Sequence, residues 1–310
     1  MTALYQGFEN STEEQRYQGI LELRAAADGV ARQLPLPETI RTEYTWPVGA
    51  ADSVKVTVFR PLGSEDEMLP IVLYCHGGGW LLGSVLTHGR FATDICIGAH
   101  AAVVFVEYSL SPEVKFPVAN EQVYGVLEWL LKNAQTLNMN PAKIAIAGDS
   151  AGGNMSAVIS MMAKDRGLQD AIKAQILLYP AVSSNMKYAS YETYGNGDCY
   201  LSLKEAQLCI QAYLGNPAVD MHNKYAIPML ASVKEMEGLP AAFVLTCECD
   251  ILRDEGEAYA AKLTTAHVYT SGMRVLGAIH GFFSAPLPET PQYRNSLTAV
   301  IGFIKDQLKY

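Results

Sequence analysis

The sequence predicts an α/β protein, with a mostly parallel central sheet, helices on both faces and a helical cap interrupting the chain. Three observations predict it. Largely apolar runs of strand length at 70–75, 102–108, 143–147, 173–179, 241–247 and 273–279 alternate with helical patterns at 87–100, 118–131, 151–166, 254–266 and 293–308. Strands covered on both faces read as continuous apolar runs, and their alternation with helices is what a parallel sheet with crossover connections produces. The rhythm lapses over 181–239, which is rich in Tyr (Tyr188, Tyr191, Tyr194, Tyr200, Tyr213, Tyr225) and has no strand pattern, so it reads as an insertion folded over the sheet edge. Finally, 310 residues, 49% of them hydrophobic, are enough for one large core.

Ser11-Thr-Glu-Glu14 reads as a capping box, and Tyr17, Ile20, Leu21, Ala27, Val30, Ala31 and Leu34 follow at helical spacing. An amphipathic helix is therefore expected over 12–33, ended by Pro35 and Pro37. The alternating stretches 39–46 and 53–59 predict an antiparallel hairpin, with Val54, Val56 and Val58 on one face. An acidic loop at 63–67 precedes the first buried strand, and 202–213 is the clearest helix inside the insertion. The expected organisation is an N-terminal cap region (1–40), a core (41–184), a cap insertion (185–239) and the rest of the core (240–310).

Composition excludes several classes. Lys plus Arg number 23 and Asp plus Glu 32, a net charge of −9, which disfavours nucleic acid and anionic membrane surfaces. No apolar run approaches the roughly 18 residues of a membrane span. The N-terminus is polar and lacks the basic-then-apolar layout of a signal peptide, so a cytoplasmic protein is expected if this is the native start. The six cysteines make no disulfide scaffold in a chain this long and are expected as free thiols. Cys247, Cys249 and Asp250 have no matching Cys or His pair at metal-site spacing, so neither metal nor cofactor is expected.

The chemistry is concentrated after three strands. Gly148-Asp-Ser-Ala-Gly152 fits G-x-S-x-G between a predicted strand and a predicted helix, the context a nucleophile elbow needs. Gly148 and Gly152 remove clashes in a sharp turn, and Ser150 projects its hydroxyl from the strand end. His76-Gly-Gly-Gly79 also follows a strand. Its glycines let backbone N–H groups approach a ligand, and with the N–H of Ala151 they would form an oxyanion hole, Gly77 and Gly78 being the expected donors. A nucleotide-binding loop is disfavoured, since neither G-x-G-x-x-G nor a Walker lysine is present.

A nucleophilic serine needs a base, and the base needs an orienting carboxylate. In a parallel sheet these groups emerge at the carboxyl ends of strands, where Asp250 and His280 both fall. Asp254 and Glu255 are rival acids, but both lie in a predicted first helical turn, where the helix dipole alone explains them. His76 reads as a brace for the glycine loop, and His88, His100, His222 and His267 as structural or solvated. Asp149 is expected to point away from Ser150 and bond nearby backbone.

Taken together, these segments resemble the hormone-sensitive-lipase family of α/β-hydrolases over most of the chain after about residue 40. Glu107-Tyr-Ser-Leu-Ser-Pro-Glu113, Leu178-Tyr-Pro180, Asp250-Ile-Leu-Arg-Asp-Glu255 and His280-Gly-Phe282 join the two glycine-rich segments in the family's order. Ser109 stands where the family usually has Arg, and Ile251 where it has Pro. The resemblance implies an α/β-hydrolase fold and a carboxylesterase of the Ser150, Asp250, His280 type, acting on small esters with short to medium acyl chains. Trp80 and Tyr188 are candidate substrate contacts from the loop and cap. An amidase or deacetylase using the same triad stays open, as does a non-catalytic small-molecule receptor of this fold, which the presence of His280 disfavours. Similar enzymes are often homodimers, so a homodimer is open as well.

Overall fold

The computed structural model describes residues 11–48, 52–284 and 290–309. Eight strands form one sheet: β1 (Ile40–Val48), β2 (Asp52–Arg60), β3 (Leu69–Cys75), β4 (Ala102–Glu107), β5 (Met139–Asp149), β6 (Ile172–Leu178), β7 (Ala241–Cys249) and β8 (Thr270–Ile279). Their spatial order is β1-β2-β4-β3-β5-β6-β7-β8. The β1–β2 and β2–β4 pairs are antiparallel and every other pair is parallel.

Helix α1 (Glu13–Ala31) precedes the sheet. Crossover helices are α2 (Val85–Ala99), α3 (Val118–Asn133) and α4 (Ala151–Asp165). The 181–239 stretch contains α5 (Ala189–Tyr194), α6 (Leu203–Tyr213) and the single turns α7 (Pro217–Asp220) and α8 (Val233–Met236), and no strand among its residues. Helices α9 (Arg253–Thr265) and α10 (Pro291–Leu308) complete the chain. No helix among the described residues is long and apolar enough to cross a membrane.

The sheet separates two cores. On one face Ile71, Leu73, Val104 and Ile146 pack against Val123 and Leu127 of α3 and Met155 and Ile159 of α4. On the other, Val72, Tyr74, Val103 and Phe105 pack against Phe91 and Ile95 of α2 and Val300 and Ile304 of α10. Adjacent residues of one strand thus enter opposite cores, which is why these strands read as largely apolar runs.

Some boundaries differ from expectation. Strand β5 begins four residues before the predicted 143, because Met139 pairs with Leu69. The capping box of α1 is one residue further along: Thr12 Oγ1 accepts from Gln15 N–H at 3.2 Å and Gln15 Oε1 from Thr12 N–H at 2.9 Å. The apolar side of α1 is only partly covered, with Ile20 and Leu23 buried but Val30 49% exposed. Polar side chains moor this helix. Arg24 donates to Leu81 O, Ser111 O and Glu113, and Asp28 accepts from Ser84 Oγ.

Candidate active site

Strand order reverses at β3. Its successor β4 lies on one side and β5 on the other, the place where an open α/β sheet leaves a crevice at its carboxyl edge. Cys75 and Gly148 are register partners, so the glycine loop after β3 and the turn after β5 emerge side by side.

Between β5 and α4, Ser150 has φ 55° and ψ −118°, a left-handed conformation that costs a non-glycine residue strain. Glycines permit the turn. A Cβ on Gly148 would lie 2.2 Å from Gly152 O, and one on Gly152 would lie 2.0 Å from Cys75 O. The backbone is further held by Ser150 N–H donating to Leu178 O at 2.8 Å.

Asp250 follows β7 and His280 follows β8, two strands paired to their ends by Cys249 and Ile279. His280 Nε2 lies 2.9 Å from Ser150 Oγ, and His280 Nδ1 lies 2.7 Å from Asp250 Oδ2. All three side chains are buried. The second oxygen of Asp250 accepts the Leu252 N–H at 2.9 Å, so both carboxyl oxygens are fixed. Three residues spread over 130 positions are therefore in hydrogen-bond contact in series, the arrangement that turns a hydroxyl into a nucleophile. The rival acids are engaged elsewhere. Asp254 accepts from Ser190 N–H and Arg253, and Glu255 accepts from Val182 N–H, Ser183 N–H and Tyr191 OH. Burial raises the Glu255 pKa to about 8.

The glycine loop corrects one expectation. Gly77 N–H donates to Asp149 Oδ1 at 2.9 Å, so it is committed to the protein rather than open to an oxyanion. Among the described residues the N–H groups of Gly78 and Gly79 have no backbone acceptor, and neither has that of Ala151, at the start of α4. Gly78 and Gly79 have φ values of 111° and 62°, and a Cβ on Gly78 would lie 2.3 Å from Leu82 O.

Asp149 turns away from Ser150 into a buried network under this loop. Tyr74 OH donates to Oδ1 at 2.7 Å, and His88 Nε2 approaches Oδ2 at 3.4 Å. Burial opposes ionisation of Asp149, but His88 and the hydrogen bond from Tyr74 outweigh it and hold its carboxyl below the usual range. His76 is stacked between Phe105 and Tyr108, with Nδ1 2.8 Å from Gly77 O. Burial and then His88 lower its pKa to about 3, which leaves the ring neutral and suits a brace.

Above these groups lies a cavity of about 860 Å³. Its walls come from α1 (Leu23, Val30), the glycine loop, the 181–239 stretch (Tyr191, Tyr200, Ile210) and the segment after β8. Trp80 lines it and stacks on Tyr213 with ring centroids 4.2 Å apart. Tyr188 does not. It precedes α5 and packs beside the cluster of Tyr191, Ile251 and Leu252, and Tyr191 faces the cavity instead. Ile251 accepts Ser190 Oγ–H at its carbonyl, which ties the loop after Asp250 to α5. At Ser109 the contact is local: Ser109 N–H donates to Gln122 Oε1, and Gln122 Nε2 donates to Ser109 Oγ. The six cysteines are all free.

Sequence reasoning overlooked Gly79 and read His88 and Glu255 as incidental. The third glycine of the run was the available signal for the first. For His88 and Glu255, partners far away in the chain carry the meaning, and no local pattern reveals them.

Comparison with known proteins gives the family. Residues 72–284 match a family model described as the α/β hydrolase fold. One of two fungal esterases of Rhizomucor miehei, solved to explain their substrate specificity, is 40% identical, superposes with a TM-score of 0.90, and is aligned over 99% of this chain and 96% of its own. The carboxylesterase NlhH of Mycobacterium tuberculosis is 35% identical over 84% of this chain and 85% of its own length. An arylesterase of Saccharolobus solfataricus is 32% identical over 85% of each. With its fold, its turn geometry and its sequence match in accord, the chain belongs to the α/β-hydrolase family, in the hormone-sensitive-lipase type.

Proposed function

We propose that this protein is a serine carboxylesterase that hydrolyses small carboxylic esters through an acyl-enzyme on Ser150. The observation that carries the reading is the continuous chain Ser150 Oγ, His280 Nε2, His280 Nδ1, Asp250 Oδ2, with separations of 2.9 and 2.7 Å. Its place beneath a cavity, and relatives named as esterases, support esters as the substrate class.

In this mechanism Asp250 holds the proton of His280 on Nδ1, so Nε2 accepts the proton of Ser150 as Oγ attacks the ester carbonyl. Negative charge gathers on the former carbonyl oxygen and is met by the N–H groups of Gly78, Gly79 and Ala151. Loss of one such donor costs about 10²–10³ in rate. His280 then returns the proton to the leaving alkoxide, and the alcohol departs. A water enters, gives its proton to the same nitrogen and attacks the acyl carbonyl. Collapse of the second tetrahedral intermediate releases the acid and restores Ser150.

Helix α1 and the 185–239 insertion act as the cap in this account, since both contribute walls of the cavity. Its volume and mainly apolar walls suit short to medium acyl chains. Ser150→Ala should abolish hydrolysis of p-nitrophenyl butyrate while leaving the circular dichroism spectrum and melting temperature near those of the parent. Turnover retained by a folded Ser150→Ala variant would overturn the assignment.

A further inference from the structure

Two of the six cysteines touch each other. Cys199, in the turn between α5 and α6, and Cys249, the last residue of β7, are joined thiol to thiol by a hydrogen bond. Burial, and then Cys249 through its charge and through this bond, raise the Cys199 pKa, so Cys199 is the member that holds the proton and donates it. Both residues are partly exposed. The other cysteines are placed differently. Cys75, Cys96 and Cys247 are buried, and burial pushes the thiols of Cys75 and Cys96 up to about 12 and raises that of Cys247 as well. Cys209 packs on the glycine loop, where a Cβ on Gly79 would lie 2.4 Å from its Sγ. Cysteine chemistry needs access and a thiolate, so the 199–249 pair is set apart by position and by having a sulfur as its neighbour.

The backbone around the pair gives the same placement independently. Cys249 is the register partner of Ile279, the residue before His280. A Cβ on Gly281, the residue after His280, would lie 3.3 Å from the Tyr200 ring. The turn that carries Cys199 therefore sits over the end of β8, and Cys249 adjoins Asp250 in the chain. Tyr200, held at φ 82°, lines the cavity. The two sulfurs thus lie at the seam where the 181–239 stretch meets the segments bearing Asp250 and His280. Noncovalent contacts hold this seam, among them Ser190 Oγ–H donating to Ile251 O at 2.6 Å.

We propose that Cys199 and Cys249 form a reversible oxidation site, closed to a disulfide by a small-molecule disulfide such as oxidised glutathione, and that closure fastens the 181–239 stretch to the Asp250 segment and slows turnover. In the first step Cys249 loses its proton and its sulfur attacks one sulfur of the oxidant, forming a mixed disulfide and releasing one glutathione thiol. Cys199 then gives up its proton and attacks Cys249 Sγ, which releases the second glutathione thiol. The two cysteines lose two electrons and two protons, and the oxidant gains both. Ser150, Asp250 and His280 are buried beneath a cavity that this stretch helps to wall, so substrate and product pass beside it. Movement of such walls sets many turnover rates, and a covalent tie at the seam restrains it. The effect on turnover rests on the ester-hydrolase reading, whereas the disulfide does not.

The test reduces the purified protein, removes the reductant and incubates the protein with oxidised glutathione, followed by intact-mass measurement and digestion without reduction. A Cys199–Cys249 linked peptide should appear, with the intact chain lighter by two hydrogen atoms. The melting temperature should rise by several degrees, because the bond closes the loop from 199 to 249 in the unfolded chain. The kcat for p-nitrophenyl butyrate should fall severalfold, and dithiothreitol should reverse all these changes. Cys199→Ser and Cys249→Ser, made separately so that either serves if the other folds poorly, should show no linkage and no loss of kcat that dithiothreitol reverses. Glutathione adducts with no bond between the two cysteines, or a linked peptide with kcat unchanged, would overturn the proposal while leaving the esterase reading intact. A parent inactive in both redox states would defeat the esterase reading and the effect on turnover with it, and the linked peptide would still decide the disulfide.

Discussion

Asp149 and Ser150 are neighbours in the chain with opposite duties. Ser150 is thrust out at φ 55° toward His280, while Asp149 points back beneath the glycine loop and accepts hydrogen bonds from Tyr74 OH and Gly77 N–H on one oxygen. Asp149 acts on the proposed reaction through the loop it holds and is a positioning residue. Asp149→Ala would leave a buried hydroxyl and a buried N–H without their acceptor, at about 1–3 kcal/mol each, and release the loop. Steady-state kinetics should show kcat lowered about ten- to a hundredfold with KM little changed, because donors to the transition state are misplaced while the cavity persists. Asp149→Asn, which keeps an oxygen for both donors, should recover most of the loss. Equal damage from both variants would contradict the positioning role. The dipeptide was legible in the sequence as an elbow. The role of Asp149 was not, because Tyr74 and Gly77 come from a strand and loop more than seventy residues earlier, and only the β3–β5 register brings them together.

At the scale of elements, Glu255 links α9 to the 181–239 stretch. It belongs to the first turn of α9, and there its type is explained by the helix dipole alone. Folding buries it completely and gives it the N–H groups of Val182 and Ser183 and the hydroxyl of Tyr191, all in the stretch that follows β6. Burial outweighs these bonds and raises its pKa from 4.5 to about 8. Between those values the folded protein keeps a proton that the unfolded chain has released, so this carboxyl makes stability fall as pH rises from about 4.5 to about 8. Glu255→Gln removes that titration. Urea unfolding at several pH values across this window should show the parent losing stability relative to the variant as pH rises, at up to about 1.4 kcal/mol per pH unit. Parallel stability curves would contradict the buried, proton-holding state.

The strands and crossover helices were legible from apolar period and length because tertiary packing asks the same of each. The 181–239 stretch was not legible in detail. Its helices are short, and which of its tyrosines face the cavity depends on how α5 docks on Ile251 and Leu252, so Tyr191 and not Tyr188 takes the wall. The capping box of α1 missed by one residue because Ser11 and Thr12 both satisfy the pattern, and geometry alone chooses between them.

At the scale of the molecule, strand order does the assembling. The reversal at β3 sets the glycine loop beside the Ser150 turn, and parallel β7 and β8 deliver Asp250 and His280 to the same edge. Arg24 and Asp28 then lay α1 across the top, and the 181–239 stretch closes the remaining side, leaving a cavity of about 860 Å³ over the serine. The central claim is that this convergence makes one hydroxyl, among all in the chain, a nucleophile. Incubation of the purified protein with diethyl p-nitrophenyl phosphate, followed by intact-mass and peptide mass spectrometry, tests it most directly. The account predicts a single diethylphosphoryl adduct per chain, located on Ser150 and matched by loss of esterase activity. No adduct, or an adduct on a different residue that accounts for the lost activity, would contradict it.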